Sequence, residues 1–195
     1  MWKRIVLNIF GLVFITSLTA SCIFDPEQKP GDVPPPPPPD YKDLTEKDDV
    51  LFNLELLYPQ RDVTEYDRLL EDDDFIFFFG GSDGGEFTQY TKQQELQTLT
   101  NMGDDSRPDR VLSIDLTLQY AKGEWTTIYP TDPKYEGETW YQKTVTYRLT
   151  VQAAPDMTYV GNDIKAEFTI RLGKDKDGND IWRIIRWRDD VEPGA

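Results

Sequence analysis

The sequence predicts an α+β domain in which three helices from its N-terminal half pack on one face of a curved antiparallel sheet. Two observations predict it. Before residue 103, apolar residues recur at helical spacing in short stretches; from residue 111 to 189 they alternate with polar residues over four or five strands. A third observation sets the boundary. An apolar leader and a proline run precede Tyr41, and neither belongs to a packed core.

The helices come first. Thr45 with Asp48 three residues on has the form of an N-terminal cap. Val50, Leu51, Leu54, Leu57 and Tyr58 then carry a helix over about 45–58, stopped by Pro59. Thr64 caps a shorter helix over 65–71, with Tyr66, Leu69 and Leu70 inward. Glu71-Asp72-Asp73-Asp74 lies at its C-terminal end, where the helix dipole disfavours negative charge, and reads as a solvated loop. A carboxylate site for a hard cation is the weaker reading of that run. Phe75 to Phe79 is continuously apolar and predicts a buried strand. Gly80-Gly81-Ser82-Asp83-Gly84-Gly85 ends it; without a following Lys-Ser/Thr or a nucleotide-type glycine spacing, the run reads as a connection. Thr91 and Gln94 form a capping box that opens a helix over about 92–101, with Leu96 and Leu99 inward and an end near Gly103.

The strands follow. Leu112, Ile114, Leu116, Leu118 and Tyr120 alternate with polar residues, and Lys122-Gly123 turns the chain into a strand over 124–129. After a loop over 130–137, Val145, Tyr147, Leu149 and Val151 share one face of a strand over 140–153. Ile164, Ala166, Phe168, Ile170 and Leu172 alternate again, and the last strand covers about 181–189. Lys174 to Asp180 resembles part of a calcium loop, but Gly173 stands at the first ligand position and Ile184 where the bidentate Glu belongs. Asp177-Gly178 between two alternating strands predicts a hairpin turn instead.

The leader has its own logic. Lys3 and Arg4 precede an apolar run from Ile5 to Leu18, too short to span a bilayer, and Ala20-Ser21 lead into Cys22, the one cysteine of the chain. This resembles the lipobox of bacterial lipoproteins, although Thr19 replaces the usual Leu three residues before the cysteine. The resemblance implies removal of residues 1–21, acylation of Cys22, and attachment to the cell envelope through an N-terminal lipid. Ile23, in place of the Asp that retains enterobacterial lipoproteins at the inner membrane, favours the outer membrane in a host with two. Residues 22–40 then form a spacer. Six consecutive prolines, Pro34 to Pro39, hold a polyproline II rod at ~3.1 Å per residue, so the segment lifts the domain roughly 40–55 Å. The folded domain is expected over 41–191, with a short tail over 192–195.

Composition narrows the function classes. The formal net charge is −15, and loss of Lys3 and Arg4 with the leader makes it more negative, which argues against nucleic acid and anionic lipid headgroups as partners. A lone cysteine excludes an internal disulfide. With no histidine, the chain has no Ser-His-Asp or Cys-His nucleophile system and no His-ligated zinc; catalysis would rest on carboxylates, Tyr, Lys or Arg. No metal and no cofactor is expected, and the balance leans away from an enzyme.

The order of elements resembles the nuclear transport factor two-like superfamily, the cone-shaped fold shared with ketosteroid isomerases and limonene epoxide hydrolases. The resemblance rests on Val50-Leu51-Phe52-Asn53-Leu54, on the passage Asp67-Arg68-Leu69-Leu70 to Asp74-Phe75-Ile76-Phe77, and on Trp182-Arg183-Ile184-Ile185-Arg186-Trp187. It implies a pocket between the helices and the concave sheet. Neither the isomerases' Asp base with Tyr and protonated Asp nor the hydrolases' Asp-Arg-Asp set falls on matching positions, so no catalytic residue carries over. By face, Tyr58, Tyr66, Tyr147 and Arg183 are the polar groups expected to reach the pocket. Each has a plainer reading, the tyrosines as core rings and Arg183 as a surface cation. Trp182, Arg183, Arg186, Trp187 and Arg188 are also placed to form cation–π stacks on a sheet face. The expected function is non-catalytic binding of a small apolar ligand or an envelope protein partner. The alternatives are a pocket enzyme of isomerase, dehydratase or hydrolase type, and a homodimer built on the sheet face.

Overall fold

A computed structural model describes residues 39–79 and 88–189. The leader, Cys22, most of the spacer, the Gly80–Gly85 connection and the C-terminal tail lie outside the described residues. The elements are α1 (Lys47–Gln60), α2 (Val63–Leu69), β1 (Ile76–Phe79), β2 (Thr88–Thr91), α3 (Lys92–Met102), β3 (Val111–Gln119), β4 (Thr126–Ile128), a 3-10 turn (Pro133–Tyr135), β5 (Trp140–Ala153), β6 (Met157–Lys174) and β7 (Asp180–Asp189). Among these, no helix is long and apolar enough to cross a membrane.

α1 begins and ends two residues later than the spacing predicts. The Glu46 N–H donates to Asp49 Oδ2 at 2.9 Å, so Glu46 and Asp49 close the first turn and Asp48 is left for another task. Pro59 sits inside the last turn because tertiary contacts override its preference. The following Arg61, in the left-handed region at φ 56°, donates through Nη1 to the carbonyls of Met102 and Val111 at 3.1 and 3.0 Å. α2 is capped by Asp62, which accepts from the Glu65 N–H at 3.1 Å, not by Thr64. α3 keeps the expected box, with the Thr91 N–H donating to Gln94 Oε1 at 2.9 Å.

The seven strands run in the order β2-β1-β7-β6-β5-β3, with β4 also paired to β5. Every pairing is antiparallel except β1 with β7. No hairpin joins that pair, so nothing in the chain forces the two halves of the sheet to meet antiparallel. Register shifts interrupt three pairings, between Val111 and Ser113, Tyr147 and Leu149, and Thr169 and Ile170. Such bulges bend strands, and here they curve the sheet around the helices. The shift opposite Tyr147 uses Asp163 at φ 54°. Gly161 lies in the same shift, where a Cβ would lie 2.3 Å from Ile164 Cδ1 and would push that side-chain end aside.

The core forms where α1 and α2 meet the concave face. Val50, Leu54, Leu57, Tyr66 and Leu69 pack against Leu118, Val145, Phe168, Ile170 and Trp187. The expected buried strand is buried only at Phe75; Ile76–Phe79 are half-buried because β1 lies next to the edge strand β2. The loop over 175–179 closes as a hairpin turn, with the Gly178 N–H donating to the Asp175 carbonyl at 3.0 Å and Gly178 at φ 84°.

The acidic run is the expected loop, with Asp72 and Asp73 exposed, but cations from elsewhere in the fold tie it down. Asp72 bridges Lys92 and Arg183, each at 2.7 Å, and Arg171 reaches Asp74 at 3.0 Å, Glu138 at 3.1 Å and Glu71 at 3.4 Å. Lys134 pairs with Asp74 from the other side. Tertiary cations thus outweigh the helix dipole, and no group of three carboxylates placed for a metal occurs among the described residues. Arg171→Ala leaves Asp74, with its side chain 8% exposed, with Lys134 as its remaining countercharge, and takes from Glu71 and Glu138 the guanidinium they share. It should cost about 3 kcal/mol in urea denaturation, and a loss below about 1 kcal/mol would show that the run is solvated after all.

Candidate functional site

Inside the curve, α1, α2, α3 and β7 bring together polar groups that an apolar core lacks. Tyr66 of α2 donates its hydroxyl to Glu95 Oε1 of α3 at 2.9 Å, and both side chains are buried. Their partner in the cluster is Tyr58 of α1, whose ring meets Tyr66 edge-on at 5.8 Å and Trp187 at 6.5 Å. On the sheet side Asp189 accepts twice, from the Tyr147 hydroxyl at 2.8 Å and from Trp187 Nε1 at 2.6 Å. The Tyr58 hydroxyl makes no hydrogen bond to another described residue.

Burial sets the protonation states. It pushes the Glu95 carboxyl up to about 7; the Tyr66 hydrogen bond works against that rise and the charge of Asp189 adds to it. Burial, followed by repulsion from Glu95 and Asp189, holds the Tyr58 phenol well above the ordinary tyrosine range. The Tyr66 phenol is raised in the same way, by burial first and Glu95 second. Near neutral pH the site therefore presents neutral phenols and a carboxyl close to half-ionised. Half-buried rings flank it. Phe77 stacks on Phe79 at 5.3 Å and meets Trp187 at 4.9 Å, while Tyr90 meets Phe79 edge-on at 4.6 Å.

No protein-family model matches the chain, and no curated protein matches it in sequence. Solved structures do resemble it. The beta subunit of the benzoate 1,2-dioxygenase from Burkholderia mallei superposes with a TM-score of 0.50 at 11% identity, covering 75% of this chain and 89% of that one. A nuclear transport factor two-like protein of unknown function in nutrient uptake from Rhodospirillum rubrum gives 0.45 at 13% identity, covering 75% and 98%. The beta subunit of a putative aromatic-ring-hydroxylating dioxygenase from Novosphingobium aromaticivorans gives 0.46 at 12%, covering 78% and 92%. The fold is nuclear transport factor two-like. At these identities the likeness is one of fold alone.

Within that nuclear transport factor two-like cone, three of the four residues expected from the sequence come together. Tyr58 and Tyr66 are in contact, and Tyr147 joins them through Asp189 and Trp187. Arg183 does not. It pairs across from Arg171, and each is the strand neighbour of a core isoleucine, Ile184 and Ile170, so both point away from the helices. There Arg183 binds Asp72 through Nη1 at 2.7 Å. The expected Trp–Arg stacks are absent in that form. Trp187 points into the core, Trp182 meets Tyr141 at 5.3 Å, and Arg186 and Arg188 lie over Trp140 and Phe78 from other strands.

Three buried charges escaped the sequence reading, Lys92, Glu95 and Lys143. Glu95 stands four residues before Leu99, on the same face of α3, which is the signal that places it inside. Lys143 shares its strand face with Val145 and Tyr147, and donates to Asp48 Oδ1 at 2.8 Å and to the Ala121 carbonyl at 2.7 Å.

Proposed function

We propose that the protein is an exported, lipid-anchored cell-envelope protein, acylated at Cys22, whose cone binds a small, largely apolar ligand without transforming it. The single observation that carries the ligand reading is the Tyr58 hydroxyl, which makes no hydrogen bond to another described residue and stands in the same cluster as Glu95 and Asp189. A neutral phenol beside two carboxylates is a directed donor for one oxygen on a ligand. The leader, Cys22 and the proline spacer support the envelope assignment.

A second reading has its own observation. Glu95, raised to about 7 and bonded to Tyr66, is poised for carboxylate–tyrosine proton transfer on a bound substrate. Native mass spectrometry of the gently purified protein separates the readings. A co-purifying mass that is lost in Tyr58→Phe, and that returns unchanged after incubation, is the expected result. Conversion of that molecule by wild type but not by Glu95→Gln would establish the enzyme. A bare dimer would replace both with an interaction module. In the same producing strain, Cys22→Ser should abolish labelling by radioactive palmitate; retained label would remove the anchor.

A further inference from the structure

The inner face of the β5–β6 hairpin continues the wall of the cone beyond the helices. Tyr147, Leu149, Val151 and Ala153 alternate onto one side of β5, and their cross-strand partners on β6 are Ile164, Gly161, Tyr159 and Met157. The inner end is the Tyr147 hydroxyl on Asp189. Leu149, Val151 and Ile164 are half-buried, and the outer end is open, with Tyr159 59% and Met157 39% exposed. From Tyr147 to Ala153 this ledge rises roughly 20 Å. Residues 157–162 of β6 carry no charge, in a chain whose formal net charge is −15. An uncharged apolar strip of this kind on a strongly acidic protein marks a binding surface.

From the continuity of ledge and cone we infer that the ligand is an uncharged amphiphile, its oxygen head at the Tyr58 hydroxyl and its alkyl tail along Leu149, Val151 and Tyr159. This deepens the ligand-binding reading above and rests on it. The head is uncharged because Tyr58 contacts Tyr66 and Trp187, the residues hydrogen-bonded to Glu95 and Asp189, and like charges brought together away from bulk water repel strongly. The tail runs along β5 because that face starts at Tyr147, whose hydroxyl shares Asp189 with the cluster, and ends at exposed Tyr159 and Met157; the next residue, Val160, pairs with Thr150 on the opposite face. A long-chain alcohol, ketone or ester satisfies both ends. A fatty acid does not.

The test uses the chain from residue 22 onward with Cys22→Ser, titrated at pH 8 with 1-hexanol, 1-octanol, 1-decanol and decanoate, below micelle formation. Affinity should rise about four-fold per added methylene along the alcohols, and decanoate should bind at least ten-fold more weakly than decanol. Tyr159→Asp, at an exposed position, should flatten the dependence on chain length, while Val160→Asp on the other face should leave it intact. Equal binding of decanoate and decanol overturns the charge selection. An unchanged length dependence in Tyr159→Asp overturns the ledge. Tyr58→Phe separates this inference from its foundation: alcohol binding that ignores Tyr58→Phe but responds to Tyr159→Asp keeps the ledge and removes the cone site. Absence of binding by every alcohol overturns both.

Discussion

Glu95→Gln should make the protein more stable than wild type at pH 8, and the advantage should vanish near pH 4.5. The folded Glu95 holds its proton up to about 7, against an ordinary value of 4.5. Between those values the folded chain binds more protons than the unfolded one, so stability falls as pH rises. The contribution of the neutral carboxyl is complete below 4.5 and is lost as pH climbs through 7. Over that window the loss amounts to about 3 kcal/mol for a side chain this deeply buried. In a domain of this size it should appear as roughly 6–10 °C in Tm. Glutamine keeps an oxygen for the Tyr66 hydroxyl and cannot ionise, so the slope should disappear while the packing stays. Tyr66→Phe works the other way. It removes the one bond that favours the ionised form, and should move the transition to higher pH. Thermal denaturation of the three proteins from pH 5 to 8 measures this. Parallel Tm curves for wild type and Glu95→Gln would mean that the carboxyl is solvated.

Local signals in the sequence were reliable where one residue type has one use. Thr91 with Gln94 placed the start of α3, and Asp177-Gly178 placed the last hairpin. Alternation identified the inward residues of β5 and the buried stretch of β6. Position within the fold was harder to read where a bulge changes the parity of a strand. Ile184 and Ile185 are both buried because β7 carries the extra residue of its shift against β6, and that shift turns Arg183 to the outer face. From the sequence alone, Ile-Trp-Arg-Ile-Ile-Arg-Trp supports either parity. The central carboxylates were hidden for a different reason. Glu95 lies in the run Lys-Gln-Gln-Glu-Leu-Gln, which reads as a solvated helix face until Tyr66 from another helix supplies its partner. Asp189 lies two residues past Trp187, on the same side of the strand. Charged residues at core-facing positions are therefore the places where this fold departs from its own pattern, and three of them, Glu95, Asp189 and Lys143, coincide with its specific hydrogen bonds.

The third of these gives the other large effect. Asp48→Asn should destabilise the protein by about 3 kcal/mol, since it leaves a buried ammonium without its countercharge. Lys143 is only 4% exposed, lies over the rings of Trp125 and Tyr120 at 4.6 and 5.1 Å, and would retain only the Ala121 carbonyl as an anchor. Asp48 is the more exposed partner. Burial opposes its ionisation, but the hydrogen bonds from Lys143, the Gly123 N–H and Trp125 Nε1 outweigh that and hold its carboxyl below the usual range. Its contribution is therefore complete above the ordinary carboxylate value, and is lost as pH falls through the depressed one. Lys143→Met should cost less than Asp48→Asn, because the carboxylate left behind keeps two donors and some water. The double variant removes the orphaned charge and fills the site with an apolar chain of similar length. It should be more stable than Asp48→Asn alone, giving an interaction energy of about 2 kcal/mol in a double-mutant cycle. Urea denaturation of all four proteins at pH 7 supplies the cycle. Additive single effects would show that α1 and β5 are held by packing alone, and that the Lys143–Asp48 pair is incidental to their contact.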